Sequence, residues 1–504
     1  MSDKYQRPFP SDSADRRLMP EVYLLSILFL ALFLPFQLGV NVPIFLTCVY
    51  IVAFSYQKRA NAPIDGGSTS LLLIVVIASL PFVLYDNSPF RILHFTMLIG
   101  AVIFQLFTMF SCRAYPRLSE SWLYDLANAV LFTPLSNLDA FWRVLARRFG
   151  ESRFRTILLV LAGIAVSLPL MLLFGAQLSS ADAVFAFLRS RFTAPFWRYG
   201  GKVFLGLVAA VPVSMFIFGA FFGFRHRRRT EIIAKPDGAR VHILPSEAVI
   251  ASLIPICLLQ AFYLASQIIY FFSAFPGFLP ENYTYAEYAR RGFLELCAVS
   301  LVNLTVIAIV MVFTKHKKRA TEITVNALVI FLCVCSIVII ATVFAKMILY
   351  MDNFGLTANR IITSWFMFGL ALVFIFTIIR CFKPGFKLVR TATVTAIVMF
   401  LMLCFVDCDY VAVAYNKDAY LSGRLEGFDI EMLYNSSDSV VPLVIDLYEH
   451  SEGELKEDAR ALLSHYANTY DDSIITWRSF NISRYNAHSK FLHWQEATGF
   501  SPTD

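Results

Sequence analysis

The sequence predicts an all-α membrane protein, a bundle of about 11 transmembrane helices with a small helical extracytoplasmic C-terminal domain. Three observations predict it. The composition is 58% hydrophobic and 16% charged, with 49 Phe in 504 residues, where soluble domains average about 45–50% apolar and about 25% charged. The apolar residues sit in long uninterrupted blocks. Lys and Arg alternate between rich and poor gaps along the chain.

A crossing helix needs about 20 mostly apolar residues. Blocks of that kind run over 21–37, 39–56, 70–86, 92–110, 156–176, 203–224, 247–275, 292–314, 324–350, 361–379 and 391–408. The first two are short and nearly abut at Leu38, as a tight hairpin or a re-entrant pair would. The seventh is long enough to tilt, or to kink at Pro255. No small-residue cleavage site follows the first block, which reads as an uncleaved span.

Orientation follows from the positive-inside rule. The basic gaps hold Lys4 to Arg17, Lys58 and Arg59, Arg113 to Arg155, Arg225 to Arg240, Lys315 to Arg319, and Arg380 to Arg390; the gaps between them hold far fewer cations. The N-terminus is therefore expected in the cytoplasm and the C-terminal domain outside. The segments are a cytoplasmic tail (1–20), four spans (21–110), a cytoplasmic amphipathic segment (111–154), a seven-helix core (155–408) and the outer domain (409–504).

Within 111–154, Asn137 is placed to cap a helix through Phe141, Trp142, Leu145 and Phe149. Its arginines Arg143, Arg147 and Arg148, with the run Arg227, Arg228 and Arg229, are candidates for anionic lipid headgroups at the inner face. An amphipathic connector packed on the bundle and a plain topology signal account for the same residues. Segment 177–202, with Phe185, Phe187, Arg191 and Trp197, reads as interfacial. In the tail, helices are expected from a Ser436 or Ser437 cap through Leu447, over Glu454–Asn468 and over Ser473–Trp494.

The nine cysteines end at Cys408, so the outer domain has no disulfide framework. Cys333 and Cys335 read as small buried hydrophobes. There is no HExxH, CxxC, GxxxxGK[ST] or GxSxG, and no His–carboxylate pair at ligand spacing in a span. No catalytic residue, metal site or cofactor is assigned, and the net charge of +7 is spent beside the spans rather than on nucleic acid.

Ionisable residues near spans need an explanation. Glu287, Arg291 and Glu295, spaced four apart, share a helix face leading into the eighth block, with Arg290 beside them. Lys346, Arg360, Asp407 and Asp409 fall at the same outer depth. These eight residues either pair with one another as staples between spans and tail or form an outward-facing polar binding site.

The stretch Tyr283–Leu296, the loop Gly355-Leu356-Thr357 with Arg360, the run Asp409–Asn416 with Asp429, Asp438 and Pro442, and Trp477–Tyr485 carry a resemblance. Over roughly residues 155 to the end the chain resembles the bacterial multi-pass membrane proteins of domain-of-unknown-function family 4173, a relative of family 4153. Leu294 departs from the second Phe common in that family. The resemblance implies a bacterial cytoplasmic-membrane protein and brings no activity with it. On these residues the expected function is a receptor, sensor or assembly scaffold of the envelope, with the bilayer, anionic lipids and a protein as partners. A transporter or lipid-handling protein is the alternative, and an envelope enzyme using Glu295 or Asp407 comes third.

Overall fold

In a computed structural model the chain is helical almost throughout. The structure describes residues 10–34, 37–61, 66–86, 90–113, 122–182, 184, 187, 191, 201–228, 230–231, 243–274, 293–315, 318–425, 427–472 and 477–501. The principal helices are α1 (Ser13–Phe33), α2 (Asn41–Arg59), α3 (Ser68–Ser79), α4 (Arg91–Met109), α5 (Leu138–Phe149), α6 (Glu151–Ala181), α7 (Lys202–Arg225) and α8 (Ser246–Ala274). They continue as α9 (Phe293–Phe313), α10 (Arg319–Phe354), α11 (Ala358–Phe382), α12 (Leu388–Cys404), α13 (Cys408–Leu421), α14 (Val441–His450), α15 (Glu454–Asp472) and α16 (Ile482–Thr498). The strand content among the described residues is one parallel pair, Leu244–Pro245 with Thr314–Lys315.

Each of the eleven apolar blocks coincides with a helix, but eleven crossings do not follow. Six helices among the described residues are long and apolar enough to cross a membrane, and α12 with α13, bent by 62°, would make a seventh if the pair is one broken span. Two shortfalls have clear causes. α1 begins at Ser13, eight residues ahead of the expected boundary, and takes Arg16, Arg17 and Glu21 into the helix. α3 and its continuation to Leu84 are apolar but short. At about 1.5 Å per residue they fall under the roughly 30 Å of a hydrocarbon core. α10, by the same rise, overshoots it.

Two bundles form. In the first, α1 packs along α2 and α7, α3 along α4, and α5 across α1 and α7. Its core holds Leu18, Val22, Ala53, Tyr56, Phe107 and Phe218. In the second, α10 is central, packed by α8, α9 and α11, with α12 on α11. There Gln260 donates to Asn303 (3.3 Å) and Asn303 to Ser336 (3.0 Å), so buried polar side chains link three helices. The outward faces are apolar, with Leu159, Met171, Leu258 and Phe262 each at least 65% exposed. Side chains of that kind belong against lipid rather than water.

Small residues set the closest approach in the first bundle. A Cβ on Gly219 would lie 2.7 Å from the Pro134 carbonyl oxygen, and one on Gly223 would lie 2.6 Å from Thr133 Cγ2. This Gly-x-x-x-Gly face lets α7 meet the Thr133–Asn137 segment at its backbone beside Gly219 and at the Thr133 and Asn137 side chains beside Gly223. Gly219→Val is expected to lower stability by about 1–3 kcal/mol through overpacking against backbone that cannot turn aside. Thermal unfolding of the detergent-purified protein, followed by intrinsic fluorescence, checks this, and an unchanged midpoint would refute it.

The amphipathic segment forms α5 as expected from Leu138, but Asn137 does not cap it with its side chain. Its amide instead donates to the carbonyls of Thr133 (2.8 Å) and Arg228 (2.9 Å), tying α5 to the end of α7. Phe141 turns inward, edge-on to Phe218 at 5.8 Å. Of the interfacial segment 177–202, most lies outside the described residues; Arg191 sits 5.6 Å over the Phe187 ring.

The C-terminal domain opens with α13, a helix ahead of the three expected in it. Its core joins Val413, Leu433, Val444, Leu462, Ala487 and Phe491. Pro442 occupies the first turn of α14, where its missing N–H costs nothing. The third expected helix starts at Ile482 rather than Ser473, because Asn481 caps it by accepting from Arg484 N at 2.7 Å. Trp477–Ser479 form a separate short turn.

Candidate functional site

The helices place the two ends of the first bundle far apart, and each end gathers buried charge. The C-terminal domain docks at the end where α1 stops and α2 begins. Val40 N donates to the Phe480 carbonyl at 3.0 Å. Gly39 is required there, since a Cβ would come within 2.8 Å of the Arg478 and Phe480 carbonyl oxygens.

Beside this contact lies an ionic junction. Asp86 follows the short helix Pro81–Leu84, and Arg91 opens α4. Arg91 donates to the Asp86 carboxylate and to the Leu38 carbonyl. From the domain, Arg484 on α16 reaches Asp86 Oδ2 with Nη2 (2.9 Å) and Asp438 Oδ2 with Nε (2.5 Å). Asp86 has 5% of its side chain exposed. One guanidinium therefore bridges a carboxylate of the membrane bundle and a carboxylate of the domain. Burial pushes the Asp438 carboxyl above its ordinary range, and Arg484 opposes that only in part.

Asp407 and Asp409 join the junction from the bend between α12 and α13. Asp407 caps α13 by accepting from Tyr410 N (3.1 Å), and Asp409 accepts from Ser437 N (3.0 Å). Ser437 and Ser439 share a hydrogen bond of 2.7 Å. Four carboxylates thus meet two guanidinium groups among the described residues, an acidic excess held in low dielectric.

The eight expected outer-face residues do not form one constellation in what is described. Glu287, Arg290 and Arg291 lie outside the described residues, and Glu295 falls in the first turn of α9. Asp407 and Asp409 come together. Arg360 is elsewhere, 4.2 Å over the Tyr350 ring and donating to the Phe354 carbonyl at 3.3 Å. That turn is held to α13 by Asn416, which accepts from Leu356 N (2.6 Å) and donates to Leu356 O (2.8 Å). Lys346 is half-buried within α10. Sequence reasoning missed Asp86 and Arg484 and counted Arg91 only as a topology signal. A usable sign existed for Arg484, which stands inside the Trp477–Tyr485 stretch; Asp86 carries none, because nothing local marks its partner 398 residues away.

The opposite end is built by α1, α2, α5 and α7. Asp12 caps α1, and its backbone N–H returns to Asp15 Oδ2 (2.9 Å) in a capping box. Asp15, fully buried, accepts from Tyr56 Oη (2.6 Å) and Arg225 Nη1 (2.8 Å), with His226 Nε2 at 3.1 Å. Burial disfavours the charged form of Asp15, but its hydrogen bonds from His226 and Tyr56 outweigh that and hold the carboxyl below its usual range. The Arg225 hydrogen bond holds Asp12 well below the usual carboxylate range. Of the arginines expected at lipid headgroups, Arg143 (3.0 Å) and Arg228 (3.4 Å) converge on Asp139. Arg147 donates to Ser11 Oγ (3.0 Å). Arg227 turns the chain out of α7 with φ +45°, and Arg229 lies outside the described residues. Arg148 lines an open hollow beside α1.

A family model described as a domain of unknown function (DUF4153) matches residues 69–447. The match is to the relative of the resembled family rather than to family 4173 itself, and it reaches back into α3 instead of starting near residue 155. It includes Asp86, Arg91, Asp407, Asp409 and Asp438 and leaves out Arg484. No curated protein and no solved structure matches the chain.

Proposed function

We propose a function from one premise: the chain belongs to the family of the domain of unknown function DUF4153. It is a multi-pass membrane protein, and our reading is that it serves as a receptor, sensor or assembly scaffold of the bacterial envelope. The single observation that carries this is the Arg484 bridge from Asp86 to Asp438, which ties an extramembrane helical domain to the span ends through buried charge. Any change at the domain surface that moved α16 would shift the charge balance at the ends of α3 and α4, which is the kind of coupling a sensor needs.

The full reading has eleven crossings, the N-terminus in the cytoplasm and the domain outside. Its support is the cation pattern together with the placement of Arg16, Arg59 and Arg225 at one end of the bundle and the domain at the other. In this reading Glu287, Arg290, Arg291, Glu295, Lys346, Arg360, Asp407 and Asp409 belong to the outer side of the membrane, and Asp407 and Asp409 are the two that stand beside the docked domain. Alkaline phosphatase fused after residue 501 is expected to be active, and green fluorescent protein at the same point dark; the reverse pattern would overturn the orientation. For the sensor or scaffold role, a photo-crosslinking residue at exposed Tyr434 is expected to give one discrete adduct in native membranes, lost on Arg484→Gln. Absence of any adduct there and at exposed Tyr485 would remove that role.

Lipid handling is the second reading, favoured by an apolar hollow of about 480 Å³ between α1, α2, α4 and α7. Phe29, Phe45, Phe95, Val102, Phe216 and Phe221 line it. Movement of labelled phospholipid between leaflets by reconstituted wild-type protein would favour this reading over the first.

A further inference from the structure

We propose that the N-terminal end of the bundle holds a binding site for an anionic phospholipid headgroup, built by Arg16, Arg17 and Arg148. A hollow of about 540 Å³ opens between the first turns of α1, the last residue of α2 and the last turn of α5, with Ser13, Arg16, Arg17, Glu21, Arg59 and Arg148 on its walls. Leu24, 65% exposed, forms its apolar rim.

The case rests on where the nearby negative charge goes. The acids on these elements are already engaged. Asp12 and Asp15 face Arg225 and His226. Glu21 takes both of its bonds from Arg59, each 2.5 Å. Asp139 on α5 faces Arg143 and Arg228. Among the described residues no carboxylate pairs with Arg16, Arg17 or Arg148, yet all three open on the same hollow. Three guanidinium groups sharing one concavity repel one another, so an anion from outside lowers the energy of the arrangement. Guanidinium favours phosphate, which it grips through paired N–H donors. The ligand chemistry is therefore a phosphate group.

A lipid rather than a soluble phosphate supplies it, because the rim is apolar. α1 runs from Arg16 and Arg17 past Leu24 toward its apolar half, the transition a headgroup and its acyl chains span. The site differs from a general basic surface in that it leaves out Arg143 and Arg228, which Asp139 already engages.

The test uses the full chain in nanodiscs of phosphatidylcholine with a minor fraction of phosphatidylglycerol, with retained phosphatidylglycerol read by native mass spectrometry. The triple variant R16Q/R17Q/R148Q is expected to lose affinity on the order of 100-fold, at roughly five-fold per arginine. K58Q/K315Q/R319Q, with the same change in net charge, is expected to retain the lipid as wild type does. Equal retention by the triple variant, or equal loss by the charge-matched control, would overturn the proposal. Should the triple variant fail to insert, Arg148→Gln alone, at an exposed helix end, is expected to lose roughly five-fold, and no loss there would overturn it. Inorganic phosphate added to discs without phosphatidylglycerol tells the sources apart: tight phosphate binding that phosphatidylglycerol does not displace would overturn the lipid assignment.

Discussion

Arg484→Gln is expected to release the C-terminal domain from the bundle and to lower stability by about 3 kcal/mol, the lower end of the cost of removing one partner from a buried pair. The lower end applies because Arg484 keeps 26% of its side chain exposed, so water takes up part of the loss. What makes the effect large is Asp86. With 5% exposure and only Arg91 left, its carboxylate would remain buried beside Asp438, Asp407 and Asp409 with half of the counter-charge gone. Two measurements check this. The thermal midpoint in detergent should fall, and limited proteolysis should cut between α13 and α16 in the variant while wild type resists. Asp86→Asn in the Arg484→Gln background is expected to recover part of the loss, because it removes the stranded charge; additive losses would mean that the two residues do not act as a pair.

At the other end, Asp15→Ala is expected to cost roughly 3–5 kcal/mol. The substitution takes from Arg225, 11% exposed, the fully buried one of its two carboxylates and leaves it Asp12, and it leaves the buried Tyr56 hydroxyl without its acceptor. The same residue sets an acid limit. Folded-state values of Asp12 and Asp15 lie below those of the unfolded chain, so their contribution is fully present above about pH 4. It is lost as pH falls through the folded values. Asp438 acts with the opposite sign. Its folded value is raised, so its burial destabilises at neutral pH, and that cost is relieved as pH falls through the raised value. The thermal midpoint of wild type should therefore drop steeply only below about pH 4, and Asp15→Ala should lose less than wild type over that interval. A parallel drop in both proteins would show that the Asp15 cluster is not the acid-sensitive element.

Much of the architecture was legible in the chain because bilayer insertion is a one-dimensional constraint. Apolar length and the side on which cations fall are properties of consecutive residues, and they marked the helical blocks and set the N-terminal cluster against the C-terminal domain. The helix expected through Leu447 is there as α14, but it starts at Val441 with Pro442 in its first turn rather than from a Ser436 or Ser437 cap. Boundaries decided by polar partners were not legible. α1 starts at Ser13 because Asp12 caps it and Arg225, 213 residues away, neutralises that cap. α16 starts at Ile482 because Asn481, rather than a serine upstream, caps it.

The candidate site divides the same way. Position along the chain put Asp407 and Asp409 together at the end of an apolar block, and the structure places them at the bend between α12 and α13. Position could not pair Asp86 with Arg484, nor separate Arg360 from the aspartates, because those distances depend on how the domain docks on Gly39 and Val40. The charge at the basic end shows the reason most clearly. Counting Lys and Arg gave its sign, but which arginines keep a free charge depends on which carboxylates reach them. Glu21 and Asp139 settle that by engaging Arg59, Arg143 and Arg228 through space and leaving Arg16, Arg17 and Arg148 to face the hollow.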